Sequence, residues 1–559
     1  MVNIKYSSKY PVNLDNIDYL SPLQKSILRS KLTDKIDNIE DFIHTNIDLK
    51  YIIDLALKQI PDMKKVNKIM DKLSITSHIC IVSDFDTDGV SSAVTLEECF
   101  TLLGYTNLST VINKRIYGTG VTTYCLDKIE EINKNQPIDL IILSDHGSAN
   151  EAEYKIIKST YKNIRIILTD HHTIKQDNYP HSVDAFINPQ CIKTDSLLKD
   201  LSGCAVAYLT MLVIAKDRYD ILYDTMYLVG LSTISDIMPM DNIINRYFVK
   251  IGLNLLYTKW NSLLTKTLTS DKVYPKDLSF KVIPVINTGN RTNTEELSYN
   301  YLKGDEGSIA SLEILNLERK KITSDICRNI EEELRLNKPD KSICTIIDAE
   351  YSIAGNIAGK LGEQYNLPTI IFNQPNDEII TGSIRGILPM INVVQILDDI
   401  KQQDDSILIR YGGHKSAGGC SIHYKKYEKF RDLFNSIVKS YLEGIDTTKT
   451  VYVDTELDDK DLHPGLMRSL DIIGPYGPNW DNPVFLTKLK IIHIIPIGSI
   501  SKILFRTSYN STIEGVYHIN KNKIEHLIGE KVDVVYNIEI YINRGTSKLS
   551  LFVLALKEL

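Results

Sequence analysis

Short apolar runs bounded by turn residues recur through the first half of the chain. Ile79–Val82, Leu140–Leu143 and Ile166–Leu168 are apolar without alternation, so each reads as a strand buried on both faces. Amphipathic stretches separate them, and from His78 to about Phe248 this alternation predicts a parallel sheet with helices on its faces. A further apolar stretch from Leu228 reads as a fourth strand end. Leu20, Leu23, Ile27 and Leu28, then Ile52, Ile53, Leu55 and Leu57, fall at helical spacing. They predict a mostly helical segment, residues 1–75, packed against the sheet domain at 76–250. A linker at 251–338 includes one long helix, Ile309–Leu336. An α/β pattern returns at 339–445. In 446–559, short strands at Lys488–Ile497, Ile503–Thr507, Val532–Ile542 and Lys548–Lys557 predict a small β-barrel.

The apolar runs end in acids. Ile79–Val82 leads into Asp84, Asp86 and Asp88 at alternate positions, and Gly89 permits a tight turn into a helix beginning near Ser91. The run from Asp139 ends in Asp145-His146-Gly147, that from Asn163 in Asp170-His171-His172, and that from Leu228 in Asp236. Carboxylates massed this way repel one another unless a cation sits among them, and hard oxygen ligands suit Mg²⁺ or Mn²⁺. Taken alone, the first cluster also reads as a solvated acidic turn or a calcium loop. A calcium loop requires Glu at the twelfth position and a preceding helix; here the twelfth residue is Thr95 and a strand precedes. In a parallel α/β sheet the C-terminal strand ends share one edge, so four acidic ends predict one site of mixed Asp and His ligands, the construction of a two-metal hydrolytic centre.

Composition narrows the class. A chain of 559 residues with 43% hydrophobic and 24% charged residues suits several soluble domains. No apolar run approaches 18 residues and no signal-peptide pattern opens the chain, so membrane and secretory readings fall away. The eight cysteines are scattered without Cys-x-x-Cys, which points to reducing cytoplasm, in a bacterial cell or a virus-infected host cell. Net charge is −7, yet residues 485–559 carry 10 Lys and Arg against 6 Asp and Glu. That local excess fits phosphate binding by the barrel or an ordinary solvated surface.

Asp84-Phe-Asp-Thr-Asp-Gly89, Ser144-Asp-His-Gly147, Asp170-His-His172 and Ser235-Asp236 resemble the four motifs of the DHH phosphoesterase superfamily, and the chain is most similar to its RecJ-type single-strand-specific 5′→3′ exonucleases. The resemblance implies an α/β fold: a DHH catalytic domain with parallel sheet, a long connecting helix, an α/β DHH-associated domain and a C-terminal OB-fold barrel. It implies hydrolysis of single-stranded DNA from its 5′ end in recombination, repair or replication, by a monomer, with single-strand-binding protein or helicase as partners. It assigns one Mn²⁺ or Mg²⁺ to Asp86 and Asp145 and a second to Asp88, Asp145, His171 and Asp236. Asp84 would orient the cluster or bind through water, Asp170 would hold His171 in its ligating tautomer, and His172 would meet the scissile phosphate.

Substrate contacts follow from further similarities. Val111–Val121 resembles the family's Pro-Asn-Arg…Gly-Tyr-Gly loop, which leaves Lys114 or Arg115 as its 5′-end cation. Pro284–Arg291 resembles its Asn-Ala-Ala-Gly-Arg turn and nominates Arg291, against a plain solvent Arg. Gly382-Ser383-Ile-Arg385 and Gly412-Gly413-His414…Gly419 resemble the DHH-associated domain, nominating Ser383, Arg385, Gly412, Gly413 and His414 for phosphate contacts. Ile187–Pro189 and Leu201–Tyr208 read as structural. Tyr509, Tyr517, Tyr536 and Tyr541 are stacking platforms in the barrel or simply packing. His146 replaces the family's usual Asn, as an added ligand or as a hydrogen-bonding residue. The rivals are a DHH phosphodiesterase of short oligonucleotides or cyclic dinucleotides, which resembles only the two core domains, and a non-catalytic single-strand-binding replication factor with a degraded site. The barrel and the complete ligand set favour neither.

Overall fold

The computed structural model describes residues 2–558 apart from 35, 37, 175–178, 260–271, 350, 374–377, 499 and 544–545. The chain forms two compact units, Ile4–Leu312 with Val451–Leu559, and Met1–Asn3 with Glu313–Thr450.

In the larger unit, helices α1 (Pro22–Lys31), α2 (Ile39–His44), α3 (Leu49–Gln59) and α4 (Met63–Met70) precede the first long sheet. That sheet is built from β1 (Ile79–Ser83), β2 (Leu108–Ile112), β3 (Leu140–Ser144), β4 (Arg165–Thr169) and β5 (Ala185–Ile187), parallel throughout in the order β2-β1-β3-β4-β5. Crossover helices α5 (Thr87–Leu102), α6 (Thr123–Asn135) and α7 (Glu151–Thr160) make the parallel pairing sterically feasible. Alternate strand residues enter different cores. Ile79, Ile81, Leu140 and Ile142 pack with α5, whereas Cys80, Val82, Ile141 and Leu143 pack with α6 and α7. Burial on both sides is why these runs carry no polar alternation. The chain leaves β1 for β2 on one side and returns to β3 on the other, so the order reverses between β1 and β3. A crevice opens there at the strand C-termini.

Three more helices follow: α8 (Gly203–Ala215), α9 (Met226–Ser235) and α10 (Ile243–Lys259). The stretch from Leu228 is therefore not a strand end. Met226–Thr233 is buried all round, and a helix without a polar face presents the same uninterrupted apolar run as a buried strand. The segment expected to pack against the sheet domain divides. Leu49–Met70 packs with α5 and α8, but Leu14–Ile43 shares a core with Trp480 and the C-terminal barrel. Arg246, on α10, is fully buried in that second assembly. Its guanidinium donates to the carbonyls of Phe42, Met240, Ile473, Gly474 and Pro475 and stacks 4.0 Å over the Phe42 ring.

α11 (Ile283–Gly289) and α12 (Glu295–Leu302) lead into α13 (Glu306–Leu336), the expected long helix, within which the chain passes from one unit to the other. The smaller unit holds β6 (Ile343–Ile347), α14 (Tyr351–Tyr365), β7 (Thr369–Asn373), β8 (Ile379–Arg385), α15 (Val393–Gln403), β9 (Leu408–Gly413), β10 (Ala417–His423) and α16 (Tyr427–Tyr441). Its sheet order is β9-β10-β8-β7-β6. The C-terminal strands β11 (Phe485–Ile497), β12 (Ile500–Arg506), β13 (Thr512–Tyr517), β14 (Lys531–Asn543) and β15 (Thr546–Glu558) run β11-β12-β13-β15-β14 and close through β14–β11 pairing. The sequence pattern misses β13 because Gly515 interrupts the apolar face of Ile513 and Tyr517, and Val516 falls on the polar face of Thr512 and Glu514. No helix among the described residues is long and apolar enough to cross a membrane.

Candidate metal centre and phosphate-contact residues

Asp84 and Asp145 follow the last residues of β1 and β3, flanking the crevice, and Asp170 follows β4. Asp86 caps α5: its Oδ1 accepts from the N–H groups of Asp88 and Gly89 at 3.0 and 3.2 Å, so the helix begins at Thr87, earlier than its apolar pattern suggests. Gly89 is required by proximity. A Cβ there would lie 2.5 Å from the Asp84 carbonyl carbon and oxygen, so any side chain would push α5 off the strand end.

Four ligand-type groups converge on one point. His171 Nε2 lies 3.2 Å from Asp145 Oδ1, 3.6 Å from Asp236 Oδ2 and 3.8 Å from Asp88 Oδ2. The ligand atoms of Asp88, His171 and Asp236 all fall within 4.8 Å of one another, as do those of Asp145, His171 and His172. Asp145 is buried and adopts a left-handed backbone, φ 63°, a strained conformation of the kind that persists where surroundings over-determine it. Asp236 arrives from the C-terminus of α9, the end of a helix dipole that disfavours a carboxylate.

Burial and mutual repulsion govern the charges. Asp86 is pushed up to about 7 by desolvation and then by Asp84 and Asp88, and Asp236 to about 8 by desolvation, Asp88 and Asp86. Asp145 rises well above the carboxylate range, through desolvation and then the negative charges of Asp88, Asp86, Asp84 and Asp236. Buried polar atoms there also lack partners, among them Asp84 Oδ1, Asp236 Oδ2 and both ring nitrogens of His146. Unpaired buried carboxylate oxygens are costly in a protein interior. Divalent cations with oxygen and imidazole donors fit this donor set, by charge and by ligand type.

Asp88 is fixed from outside the aspartate motif. The backbone N–H groups of Gly203 and Cys204, at the start of α8, donate to its Oδ2 and Oδ1 at 2.7 and 2.8 Å, and the Ser232 hydroxyl donates as well. A helix N-terminus is a natural carboxylate holder. Sequence reasoning took Leu201–Tyr208 as purely structural; the small Ser202-Gly203 pair opening an apolar helix was the available signal. A Cβ at residue 203 would fall 2.4 Å from Asp145 Oδ1.

The hold expected of Asp170 on the His171 ring is found on His172. Asp170 Oδ1 meets His172 Nδ1 at 2.8 Å, and the carboxylate otherwise accepts from the backbone N–H groups of Ser148, His171 and His172. Hydrogen bonds with His172 and Ser148 outweigh burial and hold Asp170 below the usual carboxylate range. The Asp170 hydrogen bond raises His172 to about 9, so its half-exposed ring is cationic at neutral pH. Asn188 donates to the His172 carbonyl at 3.0 Å, a positioning contact within a segment taken as sheet-shaping.

Lys114 and Arg115 follow β2 on the same sheet edge. Lys114 Nζ pairs with Glu296 at 2.8 Å, while Arg115 Nη1 donates to Asn290 Oδ1 at 3.3 Å. Asn290 also donates to the Phe85 carbonyl, and Asn287 accepts from the Thr87 N–H. The segment before Arg291 therefore ends α11 and buttresses the aspartate loop, with Arg291 itself half-buried just beyond. In the smaller unit, Ser383 and Arg385 lie on β8, where Arg385 Nη1 donates to Ser383 Oγ and the Ile384 carbonyl. Across the sheet Ser383 registers with Gly419, and Gly419 with Gly412, so these residues share one patch with Gly413 and the exposed His414 at the β9–β10 turn. In the barrel, Tyr509 is exposed and Tyr517 half-buried, but Tyr536 is fully buried with its hydroxyl on Thr487, which removes it as a platform. The Tyr541 side chain lies outside the described residues.

Comparison with known proteins matches the DHH family N-terminal domain over residues 78–231, the DHHA1 domain over 340–440 and the RecJ OB domain over 453–555. The single-stranded-DNA-specific exonuclease RecJ of Haemophilus influenzae is 25% identical over 87% of this chain and 89% of its own length. That of Escherichia coli is 25% identical over 79% of this chain and 81% of its own. RecJ of Thermus thermophilus, crystallised with Mn²⁺, shares the fold over 100% of this chain and 80% of its own, with TM-score 0.79 at 18% identity. With all three domains in this order, the chain belongs to the DHH family as a RecJ-type member.

Proposed function

We propose that the chain is a metal-dependent exonuclease that hydrolyses single-stranded DNA from its 5′ end. The observation that carries this is the convergence of His171 Nε2 with the carboxylates of Asp88, Asp145 and Asp236 at the sheet's C-terminal edge. The closed C-terminal barrel and the similarity to RecJ exonucleases supply the nucleic-acid side of the reading. A phosphodiesterase confined to short oligonucleotides has no need of such a barrel.

Two divalent cations, Mn²⁺ or Mg²⁺, would supply positive charge to the phosphate and make a water acidic enough to attack at neutral pH. Asp86 and Asp145 would hold one, and Asp88, Asp145, His171 and Asp236 the other. The α8 N-terminus keeps the Asp88 carboxylate oriented, and Asp170 keeps a proton on His172, so His172 presents a cationic donor to the scissile phosphate. In the smaller unit Arg385 with Ser383 would recognise the 5′-terminal phosphate, since a guanidinium pairs two hydrogen bonds to phosphate oxygens, and in the larger unit Lys114 or Arg115 would offer the strand a further cation. Gly412, Gly413, His414 and Arg291 would hold phosphates nearer the cut. The same reading makes the chain a cytoplasmic monomer working on strands kept open by a helicase or a single-strand-binding protein.

Digestion of end-labelled single- and double-stranded DNA with Mn²⁺ and with EDTA tests the proposal. The expected result is loss of 5′ label first, from single strands only, abolished by EDTA. Label appearing first from the 3′ end, or digestion that EDTA does not stop, overturns it.

A further inference from the structure

His146 is unused by the chemistry above, although it directly follows the shared ligand Asp145. Its ring is buried, 4% exposed, and neither nitrogen has a hydrogen-bond partner. Asp84 Oδ1, likewise buried and unpartnered, faces its Nδ1 at 3.9 Å. That separation is too long for a hydrogen bond. It is close to the longest of the 3.2–3.8 Å separations between His171 Nε2 and the carboxylates around it. Ligand atoms each about 2.0–2.2 Å from one ion stand roughly 3–4 Å apart. Two orphaned buried groups at ligand spacing mark a place for a cation between them.

We infer that His146, through Nδ1 and together with Asp84, ligates the first cation, the one held by Asp86 and Asp145. The inference rests on the two-cation reading and adds a nitrogen donor to a site otherwise made of carboxylates. The chemical consequence is selectivity. Imidazole suits transition-metal ions, whereas Mg²⁺ is served by oxygen donors, so this site discriminates Mn²⁺ from Mg²⁺ more strongly than three carboxylates would. His146→Asn keeps a hydrogen-bonding group of similar reach and removes the imidazole lone pair.

The test is metal binding by the full chain without nucleic acid, followed by calorimetry and by the electron-spin resonance of Mn²⁺, with metal-free melting as a control for folding. Wild type is expected to bind two Mn²⁺. In His146→Asn one of the two sites should weaken about 10- to 100-fold for Mn²⁺, with less than about threefold change for Mg²⁺. In a His171→Ala protein, where His146 is intact, pulsed resonance should still detect an imidazole nitrogen coupled to bound Mn²⁺, and the double variant should lose it. Equal weakening for both metals means that His146 acts through a hydrogen bond, which overturns the inference, as does unchanged Mn²⁺ affinity or absence of the nitrogen coupling. Wild-type protein that binds a single Mn²⁺ coupled to His171 alone sinks the two-cation reading itself, a different outcome from loss of the His146 contribution.

Discussion

Gly203→Ala separates two effects of opposite sign. Helix propensity alone favours Ala over Gly by about 1 kcal/mol in a helix interior, and residue 203 opens α8. Packing says the reverse. The added Cβ would lie 2.4 Å from Asp145 Oδ1, 2.6 Å from its Cβ and 2.7 Å from its Cγ. Rotating the Asp145 side chain would free the carboxylate but not the Cβ, which its backbone fixes. The start of α8 must therefore retreat from β3 by roughly 1 Å, an overpacking strain of about 1–3 kcal/mol. The retreat draws the N–H groups of residues 203 and 204 away from Asp88, loosening two hydrogen bonds to a charged group worth about 1.5–3 kcal/mol each when fully made. Strain exceeds propensity, and the expected net loss is about 2–4 kcal/mol. A displacement of this size at a reacting centre also lowers the rate by about 10²-fold. Urea unfolding of the metal-free protein, Mn²⁺ titration and single-turnover digestion of a 5′-labelled strand measure the three quantities. A variant as stable as wild type, with unchanged Mn²⁺ affinity and rate, would refute the close approach of α8 to Asp145.

Asp145→Asn should abolish hydrolysis at any Mn²⁺ concentration while raising the melting temperature of the metal-free protein, because it removes one of several mutually repelling buried carboxylates; substantial residual activity would exclude Asp145 as a shared ligand. Asp86 and Asp236 hold protons up to about pH 7 and 8 in the folded, metal-free state but ionise near pH 4 when unfolded. The native state then binds more protons across that interval, so stability in EDTA should fall as pH rises from 5 to 8, and the gain on adding Mn²⁺ should grow over the same range. His172 acts in the same direction at higher pH, its contribution being lost through about pH 9; melting curves flat with pH in EDTA would contradict the carboxylate assignment. Arg246→Lys leaves three donors for five carbonyls. The Ile473 carbonyl keeps the Trp480 indole N–H, so one orphaned carbonyl predicts a loss of about 1–3 kcal/mol in chemical unfolding, and a loss below about 1 kcal/mol would dismiss the staple. Arg385→Ala should cut the preference for 5′-phosphorylated over 5′-hydroxyl strands by about tenfold to hundredfold, the worth of one charge-assisted contact; an unchanged preference would free Arg385 of that role.

The acidic ends of β1, β3 and β4 were legible in the sequence because a strand buried on both faces must be apolar and its exit to the crevice need not be. Asp84, Asp145 and Asp170 stand where those runs stop. The barrel was legible for a related reason, since short strands with one solvated face alternate and announce themselves. Asp236 was nominated as a ligand but placed on the wrong element, because complete burial erases the polar face that tells helix from strand.

Other features belong to tertiary structure alone. The Ser202-Gly203 pair signals a helix start, but nothing local reveals which carboxylate its N–H groups clasp, more than a hundred residues earlier; that follows from the packing of α8 against α5 and the bond from Gly203 to Asp88. Which histidine takes the Asp170 carboxylate is likewise a matter of how the chain turns after β4, since both lie close enough in sequence to reach it. The division of the N-terminal helices between two cores, and the buried guanidinium of Arg246, depend on surfaces far apart in sequence that meet only in the folded chain. Residue type and period report the environment a side chain requires, which is a local property. The identity of the neighbour that provides it is set by non-local contacts, and these carry no periodic signature along the chain.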